Sequence, residues 1–513
     1  VGVWYPVQRN ARAEDVTAIV LATAAAVAGL ITLENGLASG WHHATKAAGP
    51  TISTEAESDT LLPESERALA RALLEELVRI NTGPNGSTRA AAEAMAARLL
   101  AAGYDRGDVQ VVGPEGERRN LVARLRGSRA GVRPILLMAH LDVVDARPED
   151  WSFDPFVLRE EGGWFYGRGT RDNKAGAATI VANMMRWKRE GWVPRRDVIA
   201  VLTTDEETDA AAGIRWLLEK RRDLVDAAYC LNTDGGDGEL RDGKPYIFNI
   251  QAAEKIYGDF RLEVRNRGGH SSLPRADNAI YTLANALQRL AAHQFPMQLT
   301  EVTRAYLQRT ARLARGQRAD DLLNVAMRGE GANDAVQRLS LDPAINALLR
   351  TTCVATQLEG GHAPNALPQF AAATVNCRAI PGTSLAELET MLTRVVADSE
   401  VRIVSVGDWI PSPPSPLFPH LLATIERLSK EFFPGASVIP SMSSGATDGL
   451  YLRNGGIPTY GVSALFDDPA DVRAHGRDER ISVSGYYAAV RFWYRMIKEL
   501  ADMEECKEPN CRL

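Results

Sequence analysis

Short apolar runs alternating with helical segments, several of them ending on an acid or a histidine, constrain this chain more than any other feature. Residues 135–139 run into His140 and Asp142, and 198–204 into Asp205, Glu206 and Glu207. Residues 229–231 lead to Asp234, Asp172 follows the turn Gly167-Arg168-Gly169, and His475 sits in Arg473-Ala474-His475-Gly476. The alternation predicts an α/β fold, a mostly parallel sheet flanked by helices. In open sheets of this kind ligands gather beyond the carboxyl ends of the strands, so side chains placed there converge although the sequence scatters them.

Helical periodicity begins after Pro63, over 64–81 and 89–102, with Gly103 as a stop signal. Strands at 120–125, 135–139, 198–204 and 229–231 then alternate with helices at 174–190 and 211–220. Near Gly258 the rhythm changes. A strand at 259–264, a helix at 279–292, strands at 352–359 and 369–379, a helix at 384–397 and a strand at 401–406 make a split βαβ order. That is an α+β sandwich over 258–410. It is inserted into a larger domain formed by 63–257 and 411–505. A polar, largely helical insertion fills 295–350, and the proline-rich 411–416 returns as a stiff connector.

A length of 513 residues exceeds what one core supports, and a net charge of −6 gives no basic footprint for nucleic acid. Residues 1–62 hold an apolar segment, 16–33, followed by a linker. With Arg9 and Arg12 before it, this segment is expected to act as a signal-peptide core or a membrane anchor, although Glu14 and Asp15 intervene. An ordinary buried helix is the alternative. Export is the favoured expectation, to the periplasm, the exterior or a membrane-anchored state, and residues 506–513 are a polar tail. Five cysteines are too few for a disulfide scaffold. Cys353 and Cys377 fall on strand-like runs able to pair across a hairpin, and Cys506 and Cys511 lie close together in the tail. Either bridge stays open, and Cys230 reads as a packed thiol.

Two imidazoles with three carboxylates suit divalent cations, zinc above all, with cobalt or manganese as alternatives. Taken singly, each residue has a plainer explanation. A lone His-X-Asp is more often a core histidine, adjacent acids are usually solvated, and Asp172 before a helix is a candidate cap. Placement after apolar strands shifts the balance. Neighbouring carboxylates such as Glu206 and Glu207 can there divide the work between metal binding and general base catalysis.

The motifs Met138-Ala-His140-Leu-Asp142, Gly167-Arg-Gly-Thr-Arg-Asp172-Asn-Lys174, Thr204-Asp-Glu206-Glu207 and Gly268-Gly-His270-Ser-Ser resemble those of the dizinc aminoacylase and carboxypeptidase metallopeptidases. That family includes glutamate carboxypeptidase, carboxypeptidase S and carnosinase. Pro364-Asn365-Ala-Leu-Pro368, Ser444-Gly445-Ala-Thr-Asp448 and His475-Gly-Arg-Asp-Glu-Arg480 extend the likeness, in order, over about residues 64–502.

The resemblance implies two Zn2+ ions. His140 and Asp234 would bind one and Glu207 and His475 the other, with Asp172 bridging them and Asp142 orienting His140. Glu206 would be the general acid/base, and His270, Asn365, Arg378 and the backbone at Gly445 would contact substrate. Asn173 stands where many relatives carry a second aspartate, and Asp237 competes with Asp234 as a ligand. The implied function is a zinc-dependent carboxypeptidase or dipeptidase. It would hydrolyse an amide next to a free α-carboxylate through a metal-bridging hydroxide held in a catalytic metal-binding domain of 63–257 and 411–505. The 258–410 sandwich would be a lid or dimerisation domain, and a homodimer through the lid would be expected. An N-acyl-amino-acid amidohydrolase is the alternative, and a catalytically inactive binding relative a third.

Overall fold

A computed structural model of the chain describes residues 62–504 apart from 209 and 329–331. The apolar segment 16–33, its linker and the tail carrying Cys506 and Cys511 lie outside the described residues.

A ten-stranded sheet organises the larger domain. Its order is Val109–Val112, Asn120–Leu125, Val198–Thr203, Ile135–His140, Tyr229–Asn232, Thr459–Gly461, Lys244–Glu254, Gly238–Arg241 and Phe466–Asp467, with Ser437–Ser443 beside Lys244–Glu254. The four strands from Val198–Thr203 to Thr459–Gly461 run parallel, and antiparallel pairs flank them. Val198–Thr203, Ile135–His140 and Tyr229–Asn232 are buried along their whole length, which is why they read as unbroken apolar runs.

Alternate side chains of one strand feed two cores. Ile135, Leu137 and Ala139 pack in a cluster with helices Glu64–Arg79, Lys174–Arg189 and Val483–Asp502. Leu136 and Met138 face Ile214, Leu217 and Leu452 on the opposite side. The sheet is thereby fixed between two helical layers, and its carboxyl ends are held in register.

The lid is a four-stranded antiparallel sheet in the order Thr352–Gly360, Phe370–Ala379, Ile256–Arg265 and Val401–Val406. Ile256–Arg265 alternates between buried and partly exposed positions, and its inner face packs Phe260, Leu262 and Val264 against Leu283, Leu388 and Leu392. Those leucines belong to helices Ala279–Ala292 and Leu385–Val396, the first capped by Asn278 and the second by a Ser384/Glu387 capping box. Cys353 and Cys377 stand directly opposite one another on adjacent strands and are joined as a disulfide. Cys230 is a buried free thiol.

The 295–350 insertion is more than a polar appendage. Its helices Glu301–Ala311, Gln317–Arg328, Asn333–Leu339 and Pro343–Leu349 enclose a core of Leu307, Leu322, Val325, Leu339 and Leu349. Val302 joins the core of the larger domain, and Arg309 pairs with Glu426 and donates to the Val438 carbonyl at 2.8 Å. The insertion therefore docks on the larger domain although in sequence it interrupts the lid. Among the described residues no helix is long and apolar enough to cross a membrane.

Candidate active site

Five sequence-distant segments meet at the carboxyl end of the parallel strands. His140 closes its strand, and its Nε2 lies 2.8 Å from Asp172 Oδ1. The His475 Nε2 lies 3.1 Å from Asp172 Oδ2 and 3.0 Å from Glu207 Oε1. Donor atoms of His140, Asp172 and Asp234 all lie within 4.8 Å of one another, as do those of Asp172, Glu207 and His475. Asp172 belongs to both groups and offers one oxygen to each histidine. A third group joins His140, Glu206 and Glu207.

The electrostatics are those of a site in which protons stand where cations belong. Burial, and beyond it the charge of neighbouring Asp172, raises the Asp234 carboxyl well above its usual range. Burial, and beyond it Asp234, does the same to Glu206. Burial opposes charge on His140, but the hydrogen bond to Asp172 together with the negative charges of Asp172, Glu206 and Asp234 outweighs it and lifts the imidazole well above its ordinary value. Hydrogen bonds to Asp172 and Glu207 raise His475 to about 10. Two divalent cations neutralise such a cluster directly, and imidazole and carboxylate are their natural donors. The residues present fit that group.

Asp142 works differently from expectation. The nearer partner of His140 Nδ1 is the Asp142 backbone carbonyl, at 2.9 Å, while the carboxylate stands 3.8 Å off. A donor Nδ1–H leaves Nε2 as the ligand atom, so the tautomer is still set from this residue. The Asp142 carboxylate instead accepts the backbone N–H groups of Glu206 and Glu207, at 3.2 and 3.0 Å. It clamps the acid pair to the histidine strand. Asn173 turns away from the donors and accepts from Thr233 Oγ1 at 2.6 Å, which steadies the segment before Asp234. Asp237 pairs with Arg171 at 2.7 Å and belongs to none of the donor groups.

Glu479 is the residue that sequence reasoning missed. Fully buried, it accepts from the backbone N–H groups of Gly169, Arg171 and Asp172 at 3.1, 2.7 and 3.0 Å. It also pairs with Arg168 at 2.6 Å, and Arg168 reaches the His475 carbonyl at 3.4 Å. One carboxylate thus ties Asp172 to the loop of His475. Asp205 and His475 sit in the left-handed region, at φ 61° and 63°, a conformation that costs a non-glycine residue roughly 1–2 kcal/mol. The surrounding hydrogen bonds hold them there. Asp448, at the end of Ser444-Gly445-Ala-Thr-Asp448, is buried near this cluster, and burial raises its carboxyl to about 7.

The expected substrate residues His270, Asn365 and Arg378 lie on the lid and Gly445 just after strand Ser437–Ser443, all outside the donor groups. His270 is exposed on the short strand Gly269–His270, paired with Ala366–Leu367. Its Nδ1 accepts the Ser272 N–H at 3.2 Å, so Nε2 is the nitrogen left to donate. Asn365 is its neighbour, accepting the Ser271 N–H on its carbonyl at 3.0 Å. Arg378, half-buried on Phe370–Ala379, stacks over the Tyr257 ring at 4.6 Å and among the described residues forms no ion pair. Gly445 donates its N–H to Ser443 Oγ at 3.0 Å.

A model of the peptidase family M20/M25/M40 matches residues 136–499. The chain belongs to this family. The M20 match spans every metal-type donor described above. The chain is 30% identical over 394 residues to the human N-fatty-acyl-amino acid synthase/hydrolase PM20D1, covering 74% of this chain and 76% of that protein. It is 28% identical over 390 residues to the probable carboxypeptidase S-like 2 of Dictyostelium discoideum, covering 74% of each. In fold it resembles the M20 metallo-carboxypeptidase Sso-CP2 of Sulfolobus solfataricus. The TM-score is 0.63 at 17% identity, covering 85% of this chain and 99% of that one. The protein is an M20 enzyme that hydrolyses amide bonds.

Proposed function

We propose that the protein is a two-zinc exopeptidase-type hydrolase, a carboxypeptidase or dipeptidase, acting on an amide next to a free α-carboxylate. The observation that carries this reading is Asp172, which shares its two oxygens between His140 and His475 at the overlap of two three-donor groups. His140, Asp172 and Asp234 would hold one ion and Asp172, Glu207 and His475 the other. Bound there, the ions would lower the pKa of water towards neutrality and polarise the scissile carbonyl.

The chain's own residues do the rest. Glu206, fixed through its backbone by Asp142, takes a proton from the attacking water and returns it to the leaving nitrogen. His270 donates from Nε2 to the tetrahedral oxyanion, a contribution typically worth about 10²–10³ in turnover. Arg378 receives the free carboxylate bidentately. Closure of the lid over the donors excludes water during the reaction.

A second reading, an N-acyl-amino-acid amidohydrolase, has the human relative in its favour, since an N-acyl amino acid also presents an amide beside a carboxylate. A metal-replete assay comparing a dipeptide panel with a panel of N-acyl amino acids separates the two. Turnover of dipeptides alone supports the first reading, turnover of N-acyl amino acids alone the second, and turnover of neither contradicts both.

Export fits the lid disulfide, a bond that persists in oxidising compartments, together with the apolar residues 16–33. Recovery of the protein only from a reducing cytosol, with Cys353 and Cys377 as thiols, would contradict it. Self-association fits the outer lid strand, which is exposed along Thr352–Gly360 with Val354 58% and Leu358 73% accessible. Light scattering of the wild type and of Leu358→Lys tests this, and a monomeric wild type would overturn it.

A further inference from the structure

The catalytic sheet passes into the lid sheet through a single residue. Strand Lys244–Glu254 ends, Lys255 follows, and Ile256–Arg265 begins. Neither Glu254 nor Lys255 belongs to the donor groups, yet both are almost fully buried.

Glu254 faces the larger domain. Its carboxylate accepts the Thr447 N–H and hydroxyl at 3.2 and 2.7 Å and the Gln251 amide at 2.8 Å, and it pairs with Arg453 at 2.9 Å. The Lys255 N–H donates to the Ser443 carbonyl at 3.0 Å. Together these bonds anchor both ends of the segment that contains Gly445.

The Lys255 side chain faces the other way. Its ammonium donates to the carbonyls of Ala347 and Arg350 at 3.0 and 2.9 Å and to Thr352 Oγ1 at 3.1 Å. Ala347 and Arg350 close the helical insertion, and Thr352 opens the outer lid strand. Among the described residues no carboxylate pairs with this ammonium. Burial, and beyond it the like charge of Arg378, lowers its pKa to about 7. A buried cation bonded only to neutral oxygens is costly, so this one is expected to serve more than packing.

What it holds is the strand position opposite Arg378. Thr352, Arg378 and Tyr257 form one row across three lid strands. Fixing Thr352 and the end of the insertion therefore fixes the floor beneath the Arg378 guanidinium. Two neighbouring cations, Lys255 and Arg378, lie there, and among the described residues neither forms an ion pair, Asp259 acting on Arg378 only through its charge. An anion on Arg378 relieves the repulsion that Lys255 feels.

We propose that Lys255 is a positioning residue for the substrate carboxylate, setting Arg378 through Thr352 and linking the lid to the Ser443–Asp448 segment. This rests on the reading that Arg378 receives that carboxylate.

The test uses the full-length, metal-loaded enzyme, the fastest substrate from the two panels, and the C-terminal amide of that substrate. Lys255→Met keeps the buried stem and removes the charge. It is expected to keep the wild-type metal content and to raise KM for the carboxylate substrate about ten- to a hundredfold. KM for the amide should change less than about twofold, and kcat for either substrate should change little. Arg378→Ala should show the same selectivity, and the double variant should be no worse than Arg378→Ala alone.

Equal losses on both substrates, or losses that add in the double variant, would overturn the proposal by making Lys255 merely structural. If Arg378→Ala treats both substrates alike, the carboxylate reading itself fails and the proposal falls with it. If Lys255→Met does not fold, Thr352→Val removes one of the three bonds from a partly exposed edge position. That variant should raise the same KM about threefold, and no selective change would overturn the proposal.

Discussion

Replacing Glu479 by glutamine keeps the shape of a fully buried side chain and removes its charge. Four donors converge on the carboxylate, three backbone N–H groups and Arg168, at 2.6–3.1 Å. A glutamine retains one acceptor oxygen and turns an NH2 towards the remaining donors, so at least one backbone N–H loses its partner. Arg168, 3% exposed, loses its counter-ion. Removing one member of a buried ion pair costs about 3–5 kcal/mol. Unfolding entropy of about 2.1 cal/mol/K per residue makes each kcal/mol worth about 1 °C in a chain this long, so Tm should fall by about 3–5 °C.

The functional effect should be larger than that shift suggests. Asp172 and the His475 loop both hang on Glu479, and residues that orient metal ligands are typically worth about 10–100-fold in metal affinity. Titration of the metal-free variant with zinc against a chromophoric chelator should show both sites weakened by that factor. A variant with the lowered Tm but two wild-type affinities would refute the clamp. So would weakening of the His475 site alone, since Asp172 serves both.

Glu206→Gln should retain both ions and lose about 10²–10⁴ in kcat, read from metal analysis beside steady-state rates; near-normal turnover would remove Glu206 as the base. Zinc uptake should release protons. His475 holds its proton up to about 10 through Asp172 and Glu207, and a ligand imidazole must be neutral. Below that pH the ion held by Asp172, Glu207 and His475 must displace this proton, so its apparent affinity should rise with pH by about a decade per unit and level off above about 10. Calorimetry in buffers of different ionisation enthalpy near pH 7.5 checks this, and proton-neutral binding would contradict the pairing of His475 with the two acids.

The parallel strands were legible because burial on both faces leaves nothing but apolar residues between Ile135 and Ala139 or between Val198 and Leu202. The lid strands were legible for the opposite reason, since one polar face gives Ile256–Arg265 its period of two. The donor residues stood out because acids and imidazoles directly follow such runs. Glu479 did not, lying in Arg477-Asp-Glu-Arg480, where composition alone would place four charges in water. Only the approach of the Gly169–Asp172 turn, with its inward N–H groups, makes that carboxylate a buried anchor.

Asp234 and Asp237 could be told apart only by the position of Arg171, which takes Asp237 into an ion pair. The resemblance implies an orienting carboxylate at Asp142, but spacing along the chain does not distinguish the side chain from its own carbonyl, and it is the carbonyl that reaches the ring. The insertion hid its core because leucines spaced among arginines and aspartates look polar until four short helices fold them together.

Everything in the account depends on Asp172 joining two cation sites, and metal counting by inductively coupled plasma mass spectrometry tests that most directly. Wild-type protein dialysed after zinc loading should carry two ions per chain, and Asp172→Ala should carry almost none. One ion in the wild type, or one retained by Asp172→Ala, would contradict it.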